Sequence, residues 1–179
     1  MNTLPIIITA TAMSLATSAY AASESAQSKA TMERKDNGGY ESTIKSQETT
    51  SAGTAKTSES KVDVDVDSKG NVEKTVSTEA TADPKGLMNK KTDTSETQIE
   101  DKANGGYKQT TTRRHTDAEG TNTTYKTVTD VSVDSSGNVT STATTEKTVD
   151  PKGLMNEKTT TSKTKTVNGK VVESNKKTD

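Results

Sequence analysis

Three aspartates at alternate positions form the pattern in this sequence that is most like a metal site. Asp63, Asp65 and Asp67 precede a glycine, as acidic residues do in calcium loops. Read as a helix–loop–helix site beginning at Asp65, the pattern has Lys69 and Val76 where an oxygen ligand and a glutamate are needed. The pattern therefore favours a solvated acidic strand face, with a weak calcium site in this part of the chain as the alternative.

The single histidine is the next candidate for chemistry. His115 follows Arg113 and Arg114, and no cysteine is present to share a zinc ion with it. The sequence also lacks the Gly-x-Ser-x-Gly element that presents a serine nucleophile, and a phosphate-binding glycine loop. We therefore expect His115 to lie exposed on a strand. We predict no catalytic, cofactor-binding or metal residue, no cofactor and no enzymatic activity.

Tyrosines and asparagines offer binding chemistry of a weaker kind. Tyr40 and Tyr107 each follow Asn-Gly-Gly, which indicates a turn followed by the first residue of a strand; stacking on a glycan is the alternative. Asn122-Thr123-Thr124 and Asn138-Val139-Thr140 match the acceptor pattern for N-glycosylation, which matters only in a host that glycosylates.

Threonine clusters form the last candidate surface. Thr110-Thr111-Thr112, Thr159-Thr160-Thr161 and Thr164-Lys165-Thr166 place hydroxyls close together, as an ice-binding face does. Their spacing is irregular and charged residues interrupt them, so the sequence favours ordinary solvent-facing strand residues.

The elements that must carry these residues occur twice. The heptapeptide Asp83-Pro84-Lys85-Gly86-Leu87-Met88-Asn89 returns unchanged from Asp150 to Asn156, at an offset of 67 residues (150 − 83). The Asn-Gly-Gly-Tyr elements and the segments from Val66 and from Val133 share this offset. The sequence thus indicates a tandem duplication without a gap.

Composition limits the core that such a chain can build. Apolar residues make up 26% of the 179 residues, phenylalanine, tryptophan and cysteine are absent, and the net charge is −1. Apolar burial yields only about 25 cal/mol per Å², whereas ordering costs roughly 1–2 kcal/mol per residue. A low-complexity, threonine-rich chain of this kind predicts a thin core, with a largely disordered chain as the alternative. The mixed charges show no basic face for nucleic acid, and the Arg113–His115 cluster is too short to form one.

The first 21 residues have the character of an export signal. Residues 4–19 are uncharged and apolar, and Ala19-Tyr20-Ala21 forms a small-x-small cleavage site. The run is shorter than the about 20 apolar residues that span a membrane. No basic residue precedes it, so we expect that Met1 is an internal start. The prediction is a secreted or periplasmic protein with no membrane span in the mature chain.

The mature chain divides by composition into four parts. We predict a flexible leader over residues 22–35, a β-rich repeat over 36–102, a second over 103–170 and a polar tail over 171–179. In Lys61–Asp67 valine and aspartate alternate, so the valines share one face of a strand. Turn residues recur every ten to fifteen residues, which predicts roughly four strands per repeat.

The apolar pairs after each proline turn have two interpretations. Leu87-Met88 and Leu154-Met155 are predicted to form a small plug at the end of the sheet, and the alternative is an exposed docking patch. The fold class expected is all-β: a tandem duplication of a threonine- and valine-rich antiparallel β-meander.

The function that this architecture suggests is passive. We expect a structural, adhesive or surface-scaffold protein of the cell envelope or extracellular matrix, self-associating through β-edges or binding a cell-surface component. A disordered periplasmic linker and a calcium- or glycan-binding module are the alternatives.

Overall fold

Ten antiparallel strands in chain order make up the protein. The computed structural model describes residues 23–86, 89–102, 105–153 and 157–178, with side chains from Ser25 onward. The strands form one ten-stranded meander in which each strand pairs with its sequence neighbours. They are β1 (Ser23–Arg34), β2 (Tyr40–Thr50), β3 (Ala55–Val66), β4 (Val72–Asp83), β5 (Lys91–Asp101), β6 (Tyr107–Thr116), β7 (Asn122–Val133), β8 (Val139–Asp150), β9 (Lys158–Val167) and β10 (Lys170–Thr178).

The all-β prediction is confirmed, and the structure shows an ordered sheet instead of the largely disordered alternative. β-Branched threonine and valine favour a pleated backbone, since their two Cβ substituents fit it better than a helix. Contacts between described strands are confined to neighbours in the sheet, so no second layer covers either face.

Turn chemistry sets the register, as the sequence predicts. In six connections the first residue donates its N–H to the carbonyl four residues later, and a glycine with positive φ donates back to that first residue. This is a three-residue hairpin loop with a bulge, in which glycine is needed because other residues are strained at positive φ. The first residues of these turns are Lys35, Thr50, Asp67, Lys102, Asp117 and Asp134.

Equivalent positions of the two repeats occupy equivalent strands. β3 and β7, and likewise β4 and β8, have bounds that differ by 67 residues. Tyr40 pairs with Val64, and Tyr107 pairs with Val131 in the same way. In the assembled sheet Gln109, not Tyr107, pairs with Ile99, so the second set of strands is displaced by two residues. An even displacement keeps equivalent side chains on the same face of the sheet.

Each repeat contributes four strands, and the sheet is completed by one strand at either end. β1 lies in the segment expected to be a flexible leader, and β10 covers the segment expected to be a polar tail. Both pair along their length with a neighbour, β1 with β2 and β10 with β9. Their polar composition suggested coil, whereas hydrogen bonds to a preformed neighbour supply the order that burial does not.

The core is as thin as composition predicts. Among the described residues the buried hydrophobic side chain is Val64, which is 4% exposed, and the buried polar one is Thr50. Large apolar side chains such as Met32 and Ile44 stay exposed. Backbone pairing and turn chemistry therefore carry the fold more than apolar burial does.

Candidate interaction surfaces

The two faces of the sheet differ in chemistry. One face, here called the valine face, collects most of the apolar side chains of the strands. Cross-strand pairs on it include Val66 with Val72 and Val62 with Val76. Its apolar members are Ala26, Ala30, Met32, Tyr40, Ile44, Val62, Val64, Val66, Val72, Val76, Ala80, Ala82, Ile99, Tyr107, Tyr125, Val131, Val133, Val139, Ala143, Val149 and Val171.

The opposite face, here called the charged face, is dominated by lysine, aspartate, glutamate and threonine. Lys45 and Glu59 are direct cross-strand partners, 3.0 Å apart, and Lys61 reaches Glu41 at 3.2 Å. A shallow depression of about 440 Å³ lies on this face between β3 and β6, and its charged lining residues are Glu59, Lys61, Glu79, Glu96 and Arg114. The alternation that the sequence shows at Lys61–Asp67 therefore extends across the whole sheet.

A lysine in the β1–β2 turn occupies two of the three candidate calcium ligands. Lys35 Nζ contacts Asp63 Oδ1 and lies 2.8 Å from Asp65 Oδ1. Asn37 Nδ2 donates to the same Asp65 oxygen at 3.2 Å. The Lys35 hydrogen bond, followed by that of Asn37, lowers the pKa of Asp65, and hydrogen bonds to Asp63 and then Asp65 raise the pKa of Lys35. The ammonium thus stands where a cation would have to bind.

The third aspartate serves its own turn. Asp67 Oδ1 accepts the backbone N–H groups of Lys69 and Asn71, and Oδ2 accepts Asn71 Nδ2 at 2.7 Å. The Asn71 side chain, then its backbone N–H, lowers the pKa of Asp67. Asp63, Asp65 and Asp67 therefore do not converge, and no cluster of three or more acidic or histidine residues able to hold a metal lies within the described ranges.

Two more aspartates repeat this role. Asp134 accepts from Ser136 and Asn138, and Asn138 Nδ2 completes the pattern at 2.9 Å. Asp117 accepts the backbone N–H groups of Glu119 and Thr121. The pKa of Asp134 is lowered first by the Asn138 side chain, and that of Asp117 first by the Thr121 N–H. These carboxylates stabilise hairpin turns.

His115 lies on the valine face near the end of β6. Its Nδ1 is 2.6 Å from Asp93 Oδ1, the residue opposite it on β5, and both side chains are largely exposed. Arg113 shares this face, whereas Arg114 lies on the charged face. The two arginines point to opposite sides of the sheet, so they do not act as one basic cluster. The contact of His115 with Asp93 had no sequence signal, since they meet only through the β5–β6 register.

The second glycine of each Asn-Gly-Gly-Tyr element is required by a close backbone approach. A Cβ on Gly39 would lie 2.0 Å from Val64 O, and one on Gly106 would lie 2.2 Å from Val131 O. Tyr40 and Tyr107 start β2 and β6, as predicted, on the valine face.

Threonine hydroxyls form cross-strand pairs on both faces. Thr97 and Thr111 lie 3.1 Å apart on the valine face, whereas Thr57 and Thr81 lie 2.7 Å apart on the charged face. Within Thr110–Thr112 the side chains alternate between the faces, so the cluster does not form one array. The structure therefore gives these threonines a role in strand pairing.

The two asparagines of the glycosylation patterns already make side-chain hydrogen bonds. Asn122 Oδ1 accepts from Thr116 Oγ1 at 2.7 Å, and Asn138 joins Asp134 and the β9–β10 turn residue Asn168. The predicted signal segment over residues 1–21 and the predicted plugs, Leu87-Met88 and Leu154-Met155, lie outside the described residues.

Two lysines that span neighbouring turns were missed at the sequence level. The Lys85 side chain lies over Gly53, where an added Cβ would meet it at 3.1 Å. Lys152 covers Gly120 in the same way at the equivalent positions. A lysine after a proline carries no special signal, because this contact depends on two adjacent hairpins ending at one edge.

The edges of the sheet differ in accessibility. The outer side of β1 pairs with no described strand, and it carries Lys29 and Glu33 on the charged face. β10 is interrupted by a bulge between Val171 and Glu173, and the hairpin β9–β10 carries six lysines against one glutamate. A bulge and lysines on an outer strand discourage strand addition, so β1 is the more open edge.

No helix within the described ranges is long and apolar enough to cross a membrane. Comparison of the chain with family models, with curated proteins and with solved structures finds no match.

Proposed function

We propose that this chain is an exported, non-enzymatic structural protein that acts as a surface scaffold in the cell envelope or extracellular matrix. The observation that carries the proposal is a ten-stranded single layer with both faces and both edge strands accessible. A catalytic pocket needs convergent side chains in a cavity shielded from water. The broad depression described above is open and lined by charged side chains.

Partner interactions of the ionisable groups support the same function. Asp65 contacts a lysine, Asp67, Asp117 and Asp134 bind the N–H groups of their own turns, and His115 contacts an aspartate. These contacts stabilise the sheet instead of preparing an acid or base. The calcium-binding alternative loses support for the same reason, because Lys35 already neutralises Asp63 and Asp65.

Strand addition supplies a means of self-association. An unpaired strand offers alternate N–H and C=O groups to another chain. With ten strands in a meander the two outer strands run antiparallel, so copies placed side by side continue the same pattern. Such an assembly presents one valine face and one charged face over a wide area.

Export and assembly test the proposal together. The whole chain is expressed from Met1 with a carboxyl-terminal tag in a Gram-negative host, and the cells are fractionated. We expect mature protein starting at Ala22 outside the cytoplasm, which assembles in electron micrographs or sediments with envelope preparations. Ala19→Glu together with Ala21→Glu is the control and should block processing. Full-length protein retained in the cytoplasm, or a mature monomer without affinity for the envelope, would overturn the proposal.

A further inference from the structure

We propose that two copies of this chain join through β1, antiparallel and about a twofold axis at Thr31, to form a continuous twenty-stranded sheet. This inference rests on the proposed scaffold function and specifies its self-association: which edge is used, and in which register. It also makes the assembly a closed dimer, because the β1 edge is consumed on both sides.

The β10 edge is a poor partner for itself. Its bulge at Val172, which is 57% exposed, breaks the regular spacing of outward backbone groups. The six lysines of the hairpin β9–β10 would repel those of a second copy. β1 has one irregularity, between Ser23 and Ser25, and pairs regularly from Ser25 to Arg34. Two lysine or arginine residues and two glutamates make its net charge zero.

Backbone geometry decides which β1 residues face outward. Lys35 N–H donates to Gly39 O across the β1–β2 turn. Because backbone groups alternate along an antiparallel strand, the N–H groups of Glu33, Thr31 and Lys29 point to β2. Those of residues 34, 32, 30 and 28 therefore point to the open edge. Paired strands must join outward residues to outward residues, so residue i of one copy pairs with an even-sum position of the other.

Charge selects among these registers. With Thr31 opposite Thr31 of the second copy, Lys29 lies opposite Glu33 on both sides of the axis. Both pairs fall at positions without backbone hydrogen bonds, where opposing side chains are closest. The register centred on Lys29 places two lysines directly opposite each other. It can offset this repulsion only by pairing Arg34 with Glu24, which adjoins the irregularity in β1.

Apolar contacts agree with the register centred on Thr31. Met32 is 67% exposed and Ile44 is 47% exposed in the single chain, and both lie on the valine face. In the dimer Met32 lies opposite Ala30 of the second copy, whose other neighbour is Ile44 of that copy. The axis is perpendicular to the sheet, so the two valine faces stay on the same side.

Disulfide trapping tests the register directly, since the chain contains no cysteine. Thr31→Cys, Lys29→Cys and Gln27→Cys are prepared in the secreted full chain and oxidised, with circular dichroism as a check on the sheet. We expect a covalent dimer with Thr31→Cys and monomer with the other two. Preferential trapping by Lys29→Cys, or no trapping by Thr31→Cys, would overturn the register.

A charge exchange gives an independent readout by sedimentation. Lys29→Glu and Glu33→Lys should each raise the dimer dissociation constant about tenfold, because each brings like charges together twice. The double exchange should restore the original value. A wild-type chain that stays monomeric overturns the dimer. Larger assemblies without β1 trapping overturn the dimer but leave the scaffold function standing, whereas a monomer without envelope affinity removes both.

Discussion

Lys35 and Asp65 lie 2.8 Å apart although the whole of β2 separates the turn of one from the strand of the other. The equivalent lysine of the second repeat, Lys102, reaches Asp130 at 2.7 Å. A serine, Ser132, replaces Asp65 at the matching position, so the second lysine holds one carboxylate where the first holds two. Each lysine fastens a hairpin turn to a strand that its own hairpin does not contain.

This difference predicts unequal effects of removing the two lysines. Lys35→Met should lower the melting temperature more than Lys102→Met, since it leaves two neighbouring carboxylates without their cation. High salt should narrow the gap between each variant and the wild type, because it screens exposed ion pairs. Thermal denaturation followed by circular dichroism measures both effects. Equal losses for the two variants would show that the second carboxylate contributes nothing.

The adjacent glycines of the first turn should respond differently to alanine. Gly38→Ala places a side chain at φ +85 with open space around it and should cost about 1–2 kcal/mol. Gly39→Ala drives a Cβ into the Val64 carbonyl and should cost about 3 kcal/mol or more. Denaturant unfolding of the two variants gives the comparison. A larger loss for Gly38→Ala would contradict the close approach of β2 and β3.

Acid should weaken the turns that contain aspartate. The pKa values of Asp67, Asp117 and Asp134 are lowered from their ordinary value of 3.8 in the folded chain. The unfolded chain therefore binds protons first as the pH falls, so the stabilisation is complete above this value and is lost as the pH drops through the folded values.

Asp134→Asn tests this relation, since the amide keeps an acceptor oxygen but has no charge to titrate. The variant should be less stable than the wild type at neutral pH, and the difference should disappear at about pH 2. Asp36→Asn, which removes one exposed charge, is the matched control. A stability difference for Asp134→Asn that stays constant from pH 7 to about pH 2 would disprove the role of the carboxylate.

The hydroxyl pair between Thr97 and Thr111 should be coupled. Either Thr→Val change alone leaves one hydroxyl without its partner and should cost about 1 kcal/mol. The double change replaces both with methyl groups of the same shape and should cost little more than one single change. Thr129→Val, which lies two strands from Thr97, should be additive with Thr97→Val. Additive costs for the Thr97 and Thr111 variants would mean that the hydroxyls do not interact.

Local sequence determined the strands and most turns of this protein. Alternation of valine and aspartate at Lys61–Asp67 fixes which side chains share a face, because successive strand residues point to opposite sides. Glycine in Ser68-Lys69-Gly70-Asn71 and in its counterpart fixes the hairpin loop, because that position needs a positive φ. The same physics correctly reduced the calcium pattern to a strand face.

Tertiary structure alone decided what pairs across strands. β1 and β10 were expected to be coil because their composition is polar, yet a neighbouring strand orders them through backbone bonds that are blind to side-chain type. The Lys35 and Asp65 contact and the His115 and Asp93 contact join residues far apart in sequence, and only the register brings them together. The single open layer follows from the same cause: hydrogen bonds along the meander bind neighbours, and too few apolar residues remain to draw the sheet into a second layer.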